Sequence, residues 1–249
     1  MTRTVAVLLA AGAGTRLGLG PKALLTFRGT TLVAHAATEL LRGGCSEVIV
    51  VVGAGAAQVR ATPLPPGCRI VENPRWEEGM GTSFAAGIAA ATDGVDYGVG
   101  EGDGAGCVLV ALVDQPGMSF GLIEILLALH KPGRITAAGY RSPYGVETAR
   151  VENAGVETAG VDGTANVGPA GITRAGAYVA ATVGPGKLRR GNPVAFSANH
   201  ARAAAALAAG DSGARTYLAA HPELVDLVDF SPYTDGADID TPADLHFLE

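Results

Sequence analysis

Between Leu9 and Lys22 the chain reads LAAGAGTRLG, with Pro21-Lys22 just beyond. Glycines let backbone amides approach phosphate oxygens, and Arg16 and Lys22 add the fixed positive charge that a triphosphate attracts. A dinucleotide fingerprint needs its third glycine one place earlier, and the Gly-Lys-Ser/Thr ending of a Walker loop is absent. Glycine spacing alone fits a structural turn equally well. Lysine is scarce, however, contributing 3 of the 18 basic residues. Arg16 and Lys22 together in such a chain turn the reading to a phosphate site.

Two carboxylates carry the second signal. Asp114 follows a buried apolar run and precedes Gln115-Pro116; Asp240 precedes Thr241-Pro242. Two hard oxygen ligands near a triphosphate suit Mg²⁺, which binds few carboxylates and keeps phosphate oxygens and waters. The alternative is that each caps a following helix, which Asp244 supports for Asp240. Two serine strings, Gly210-Asp211-Ser212-Gly213 and Gly81-Thr82-Ser83-Phe84-Ala85, imitate hydrolase nucleophiles but lack the strand and barrel contexts those need. The five histidines show no HxxxH spacing. The odd count of three cysteines, with no CxxC, reads as reduced, mostly buried thiols of a cytoplasmic protein.

Elements must position these groups. Thr4–Leu9 reads as a buried strand and 10–20 as a loop. A helix capped by Thr30 or Thr31 runs to about Arg42, with Leu32, Val33, Ala36, Ala37, Leu40 and Leu41 on one stripe. Further strands are predicted at Glu47–Val52, Arg69–Glu72, Cys107–Val113, 192–196 and 224–230. Further helices are predicted at Ser83–Thr92, Ser119–His130, 197–209 and 213–221. Gly53-Ala54-Gly55 reads as a plain turn. Alternation of strand and helix implies an α/β fold, a doubly wound and mostly parallel sheet. In such sheets ligands sit beyond the carboxyl ends of the strands, where the glycine loop and Asp114 both fall. Residues 141–190 lack periodicity and read as an irregular insertion, a flap or edge extension more mobile than the sheet, within a single domain spanning 1–249.

Composition excludes other classes. With 48% hydrophobic and 17% charged residues over 249 positions, the chain can bury a sizeable core and is not a solvated coil. A net charge of -6 argues against nucleic-acid binding through general basicity. No apolar run reaches membrane-spanning length. The N-terminal stretch that imitates a short secretory signal is better read as a first strand entering a glycine loop.

At this point a resemblance emerges. LAAGAGTRLG…PK resembles the signature of nucleotidyltransferases of the MobA-like superfamily. Asn73-Pro74-Arg75-Trp76 with Gly79-Met80-Gly81-Thr82-Ser83, Asp114-Gln115-Pro116, Gly191-Asn192-Pro193-Val194-Ala195-Phe196, Gly210–Arg215 and Asp238-Ile239-Asp240-Thr241-Pro242 are similar to the molybdenum cofactor cytidylyltransferase branch. The resemblance implies a Rossmann-like nucleotidyltransferase fold. It implies that Leu9, Ala10, Ala11, Gly12, Gly14, Arg16 and Lys22 bind nucleotide, and that Asn73 and the Gly79–Ser83 segment, Gly79 and Ser83 foremost, line its base and ribose side. By the same resemblance Asp114 and Asp240 hold Mg²⁺, Arg16, Lys22 and Asp114 are catalytic, and Gly191 and Asn192 meet the acceptor. Leu-Ala-Ala-Gly in place of Leu-Ala-Gly-Gly favours CTP over GTP.

The implied reaction transfers CMP from CTP to the phosphate of molybdopterin and releases pyrophosphate. Implied partners are these two small molecules and, transiently, a molybdoenzyme or its maturation factor, with neither nucleic acid nor membrane. Two departures touch the acceptor side: 141–190 is longer than the family usually shows, and the family's Gly-His-Pro is Gly191-Asn192-Pro193. CMP or GMP transfer to another phosphorylated sugar, polyol or pterin therefore stays open. So does a non-catalytic nucleotide-binding relative, with an NAD-dependent oxidoreductase third.

Overall fold

In the computed structural model, residues 3–93, 106–141 and 188–249 are described. The elements in chain order are β1 (Arg3–Ala10), β2 (Thr26–Phe27), β3 (Thr30–Thr31), α1 (Leu32–Arg42), β4 (Glu47–Val52), α2 (Ala56–Ala61) and β5 (Cys68–Glu72). There follow α3 (Met80–Thr92), β6 (Gly106–Leu112), α4 (Phe120–Leu129), β7 (Ile135–Arg141), β8 (Leu188–Ser197), α5 (Ala198–Ala206), α6 (Arg215–Ala220) and β9 (Val225–Asp229). Seven strands form one sheet in the order β5-β4-β1-β6-β8-β7-β9, and β2-β3 is a separate small hairpin. The α/β, mostly parallel sheet expected from the alternating pattern is the observed architecture.

Chain order explains where a ligand can sit. From β1 the sheet grows outward through β4 and β5, then the chain returns to place β6 on the other side of β1. The loops after β1 and β6 therefore leave neighbouring carboxyl ends in divergent directions, which opens a crevice between them. Strand β8 is antiparallel to β6, with Val110 opposite Val194. Its reversed direction carries Arg190, Gly191 and Asn192 to the same sheet edge where β6 ends.

Period-two burial divides β1 between two apolar layers. Ala6, Leu8 and Ala10 pack with Leu32, Val33, Ala36 and Leu40 of α1 and with Ile123 and Leu126 of α4. Val5, Val7 and Leu9 pack with Phe84 and Ile88 of α3 and with Ala201 and Ala204 of α5. Helix α3 lies close to the sheet because of Gly87, where a Cβ would stand 2.4 Å from Val7 Cγ1.

Helix α1 starts as expected, Thr31 Oγ1 accepting from the Ala34 N–H at 3.4 Å. Helix α3 begins at Met80, earlier than its apolar stripe suggested, because the Asp211 carboxylate accepts from the Met80 N–H at 3.3 Å. Strand β7 was not expected. Its small residues lack a β-branched run, and it is a strand because β8 and β9 flank it. The turn expected at Gly53-Ala54-Gly55 leads directly into α2. The predicted insertion at 141–190 lies mostly outside the described residues. At its margins Arg141 ends β7 and Leu188 begins β8.

Candidate nucleotide site

The loop after β1 returns on itself at Gly14, whose carbonyl accepts the N–H groups of Leu17 and Gly18 at 3.1 and 3.0 Å. Gly14 has φ +64°, and a Cβ there would overlap the Gly20 carbonyl oxygen. Only glycine permits this approach. Among the described residues, the backbone N–H groups of Gly12, Ala13, Gly14 and Thr15 have no intramolecular acceptor. Such a row of unpaired amides is suited to anionic oxygens.

Beyond the loop, a single 3₁₀ turn over Lys22–Leu24 fixes Lys22 beneath it. The ammonium donates to Asp114 Oδ2 at 2.7 Å and also to Asp240 Oδ1. Three residues separated by about 90 and 220 positions thus meet at one point. Arg16 pairs with the second carboxylate of this cluster, its Nη1 standing 3.3 Å from Asp240 Oδ2. Lys22 and Asp114 keep only 14% and 18% side-chain exposure, whereas Arg16 keeps 73%. Burial by itself lowers the Lys22 pKa; hydrogen bonds and charge from Asp114 and then Asp240 outweigh it, and the net direction is upward. Lys22 is a cation at neutral pH.

Neither carboxylate serves as a helix cap. The first N–H of α4, at Phe120, donates to Glu39 Oε2 at 2.7 Å, so Asp114 has no part in it. At the C-terminal turn, Thr241 is the N-cap and Asp244 Oδ2 accepts from its N–H and hydroxyl at 2.7 and 2.8 Å. Asp240 contributes only its backbone N–H to Asp244. Both side chains are left for the cluster.

What brings Asp240 to Asp114 is the intervening string. Gln115 is buried, and its Nε2 donates to Asp238 Oδ1 at 2.7 Å, while the Ile239 N–H donates to the Asp114 carbonyl at 2.9 Å. Burial and the neighbouring Asp114 charge raise the Asp238 carboxyl above its usual range. Asp114-Gln115-Pro116 is thus a latch for 236–240 as well as the source of a site carboxylate.

A cleft of about 410 Å³ is lined by Lys22 and Asp114 of this cluster, though not by Asp240, and by Leu9, Ala11, the loop from Gly12 to Arg16, Gly79 and Ser83. Met80, from the Gly79–Ser83 segment, also lines it, as do Trp76, Glu77 and Asp211, which were not singled out as binding residues. The signal for Trp76 was its neighbour in space: a Cβ on Gly53 would stand 2.5 Å from the Trp76 side chain, so that turn glycine makes room for the ring. Two expected nucleotide contacts are placed elsewhere. Ala10 is a buried β1 residue in the layer against α1. Asn73 is buried behind the cleft, its amide donating to Thr82 Oγ1 at 2.8 Å and Ser83 Oγ at 2.9 Å. It braces the start of α3 instead of facing the cleft. Gly191 and Asn192 line an adjoining pocket.

The chain is similar to known proteins over nearly its whole length. The family model for the MobA-like NTP transferase domain matches residues 6–225. The chain is 40% identical over 242 residues to nicotine blue oxidoreductase of Paenarthrobacter nicotinovorans, covering 97% of this chain and 94% of that protein. Among solved structures it is similar to a nucleotidyl transferase from Methanothermobacter thermautotroptrophicus, with TM-score 0.65 at 20% identity over 99% of this chain and 98% of that one. A Mycobacterium tuberculosis protein solved as a complex with manganese matches with TM-score 0.61 at 20% identity, covering 99% and 98%. These structural likenesses establish the shared fold.

Proposed function

The chain belongs to the MobA-like NTP transferase family, and on that premise we propose that it transfers CMP from CTP to the phosphate of an acceptor, molybdopterin foremost, with release of pyrophosphate. The observation that carries this reading is Lys22 held between Asp114 and Asp240 beneath a loop of unpaired amides. In the reaction an acceptor phosphate oxygen attacks the α-phosphorus. The bond from that phosphorus to the bridging β-phosphate oxygen breaks, and pyrophosphate leaves with its electrons. The acceptor is already anionic, so positioning and charge neutralisation dominate and no strong base is required. The Gly12–Thr15 amides cradle the triphosphate, and Arg16 and Lys22 stabilise the charge growing on the leaving group.

Asp114 and Asp240 fit a divalent cation such as Mg²⁺, since their oxygens converge on one cationic centre and are hard ligands. When bound, such an ion would neutralise charge on the phosphates.

A second reading is favoured by one finding, the 40% identity to a protein named as an oxidoreductase. In that reading the cleft takes a nicotinamide dinucleotide as hydride source for a flat conjugated substrate. Hydride transfer has no use for two carboxylates gathered around a lysine, which is why nucleotidyl transfer is preferred. The test is pyrophosphate release from CTP, GTP, ATP and UTP, with and without molybdenum-loaded molybdopterin, alongside NADH or NADPH oxidation with nicotine blue. The expected result is acceptor-dependent release with CTP favoured about tenfold or more over GTP. Dye-dependent NADH or NADPH oxidation with no pyrophosphate from any triphosphate would overturn it.

A further inference from the structure

Beside the nucleotide cleft lies a second pocket of about 160 Å³, and the two share Leu9, Met80 and Leu112 as a common wall. Its inner surface is apolar, with Phe84, Val110, Val194 and Phe196 all buried. Two guanidinium groups also line the pocket, the half-buried Arg190 from β8 and the exposed Arg215 from the start of α6. The arginines elsewhere are mostly spoken for: Arg3, Arg60, Arg69, Arg75, Arg134 and Arg141 each pair with a carboxylate. Among the described residues Arg190 and Arg215 have no carboxylate partner. Burial, and then the charge of Arg215, lower the Arg190 pKa below the ordinary guanidinium range. Arg190 is half-buried and Arg215 exposed at the pocket's mouth, and an anion held between two such like charges would relieve their repulsion.

We propose that Arg190 and Arg215 form the acceptor's anion clamp, gripping a phosphate carried on a flat, largely apolar ring system that packs toward Phe84 and Phe196. This rests on the nucleotidyl-transfer reading and deepens it, because the shared wall would place a clamped phosphate beside the triphosphate. Asn192, also in the lining, is a neutral amide and supplies no charge. The two arginines therefore provide the positive charge of this pocket and set its preference for an anionic acceptor. Apolar walls disfavour an acceptor that is polar throughout, such as a sugar phosphate.

The experiment uses 1-naphthyl phosphate as the probe, with 1-naphthol as its uncharged counterpart, both titrated calorimetrically at saturating CTP so that the triphosphate cleft is filled. Trp76, the only tryptophan of the chain, lines that cleft and reports CTP binding separately by its fluorescence. The expected result is that Arg190→Gln with Arg215→Gln weakens 1-naphthyl phosphate about tenfold or more, leaves 1-naphthol unchanged, and leaves the CTP response at Trp76 intact. Failure of the naphthyl phosphate to bind the wild type, or binding indifferent to the double substitution, overturns the clamp. A CTP response lost together with probe binding also overturns it, because the arginines would then belong to the nucleotide cleft. Failure of the nucleotidyl-transfer reading shows differently, as no pyrophosphate from any triphosphate while the contrast between probe and naphthol persists.

Discussion

Lys22 occupies the position between two carboxylates that an inorganic cation would otherwise contest. Removing it should act in opposite directions on two measurements. Lys22→Ala leaves Asp114 and Asp240 without their shared ammonium, so affinity for Mn²⁺ in the nucleotide-free protein should rise by roughly tenfold. Turnover of nucleoside triphosphate should fall, and Lys22→Arg should not restore it, because a planar fork cannot replace a compact ammonium between two oxygens. Calorimetric titration with Mn²⁺ checks the first part, and unchanged affinity would show that these carboxylates do not hold the ion. Asp114 gives the complementary case. Asp114→Ala should lower kcat by on the order of 10²-fold or more, with circular dichroism and thermal unfolding little changed, since Glu39 and not Asp114 satisfies the first turn of α4. Turnover retained at near wild-type level would return Asp114 to a structural role.

Edge strand β9 is held to β7 by charge as well as by its ladder. Arg134 grips Asp226 through two nitrogens at 3.0 and 2.6 Å, and Arg141 reaches Asp229 Oδ2 at 2.7 Å. For Asp226 the Arg134 hydrogen bonds lead, with burial opposing, and the carboxyl is held below its usual range. For Asp229 burial acts upward, but hydrogen bonds from Ser231 and Arg141 outweigh it and the net is again downward. A depressed carboxyl stabilises the fold above its unfolded pKa of about 4, and that contribution is lost as pH falls through the lower folded value. Urea midpoints measured between about pH 5 and pH 2 should therefore fall more steeply in the wild type than in Asp226→Asn with Asp229→Asn. At neutral pH the double variant should be the less stable of the two. Parallel curves would mean the pairs are too exposed to matter, as many surface ion pairs are.

At the scale of the molecule, the site is where three distant segments close on one another: the loop after β1, the turn after β6 and residues 236–240. A ligand that bridges them stabilises the folded state by mass action. CTP with Mn²⁺ at about one hundred times its Kd should add ~2.7 kcal/mol and raise Tm by roughly 5–10 °C. Calorimetric melts check this, and a triphosphate that leaves Tm unmoved at such excess does not bind the folded cleft. Much of this architecture was legible in the linear order of residues. The apolar runs of β1, β4 and β6 are long and β-branched enough to declare buried strands, and the stripe of α1 declares its helix. Arg16, Lys22 and Asp114 stand out by type because cationic and hard-oxygen groups beyond buried strands suit a phosphate ligand, and Asp240 by its place before Thr241-Pro242. Other features depend on neighbours that spacing does not encode. Strand β7 has no periodic signal of its own and is defined by β8 and β9. Asn73 is polar and near the motif, yet only packing reveals that it braces Ser83 from behind. By position Asp114 and Asp240 fit a helix cap as well as a metal ligand, the latter being the expectation. The tertiary structure removes the capping role by supplying Glu39 and Thr241 with Asp244 as the caps, and it places Lys22 between the two carboxylates. Local sequence determines which elements form, because propensity and burial period act over a few residues; the partner of each polar side chain is chosen by the closure of the chain across some 220 positions.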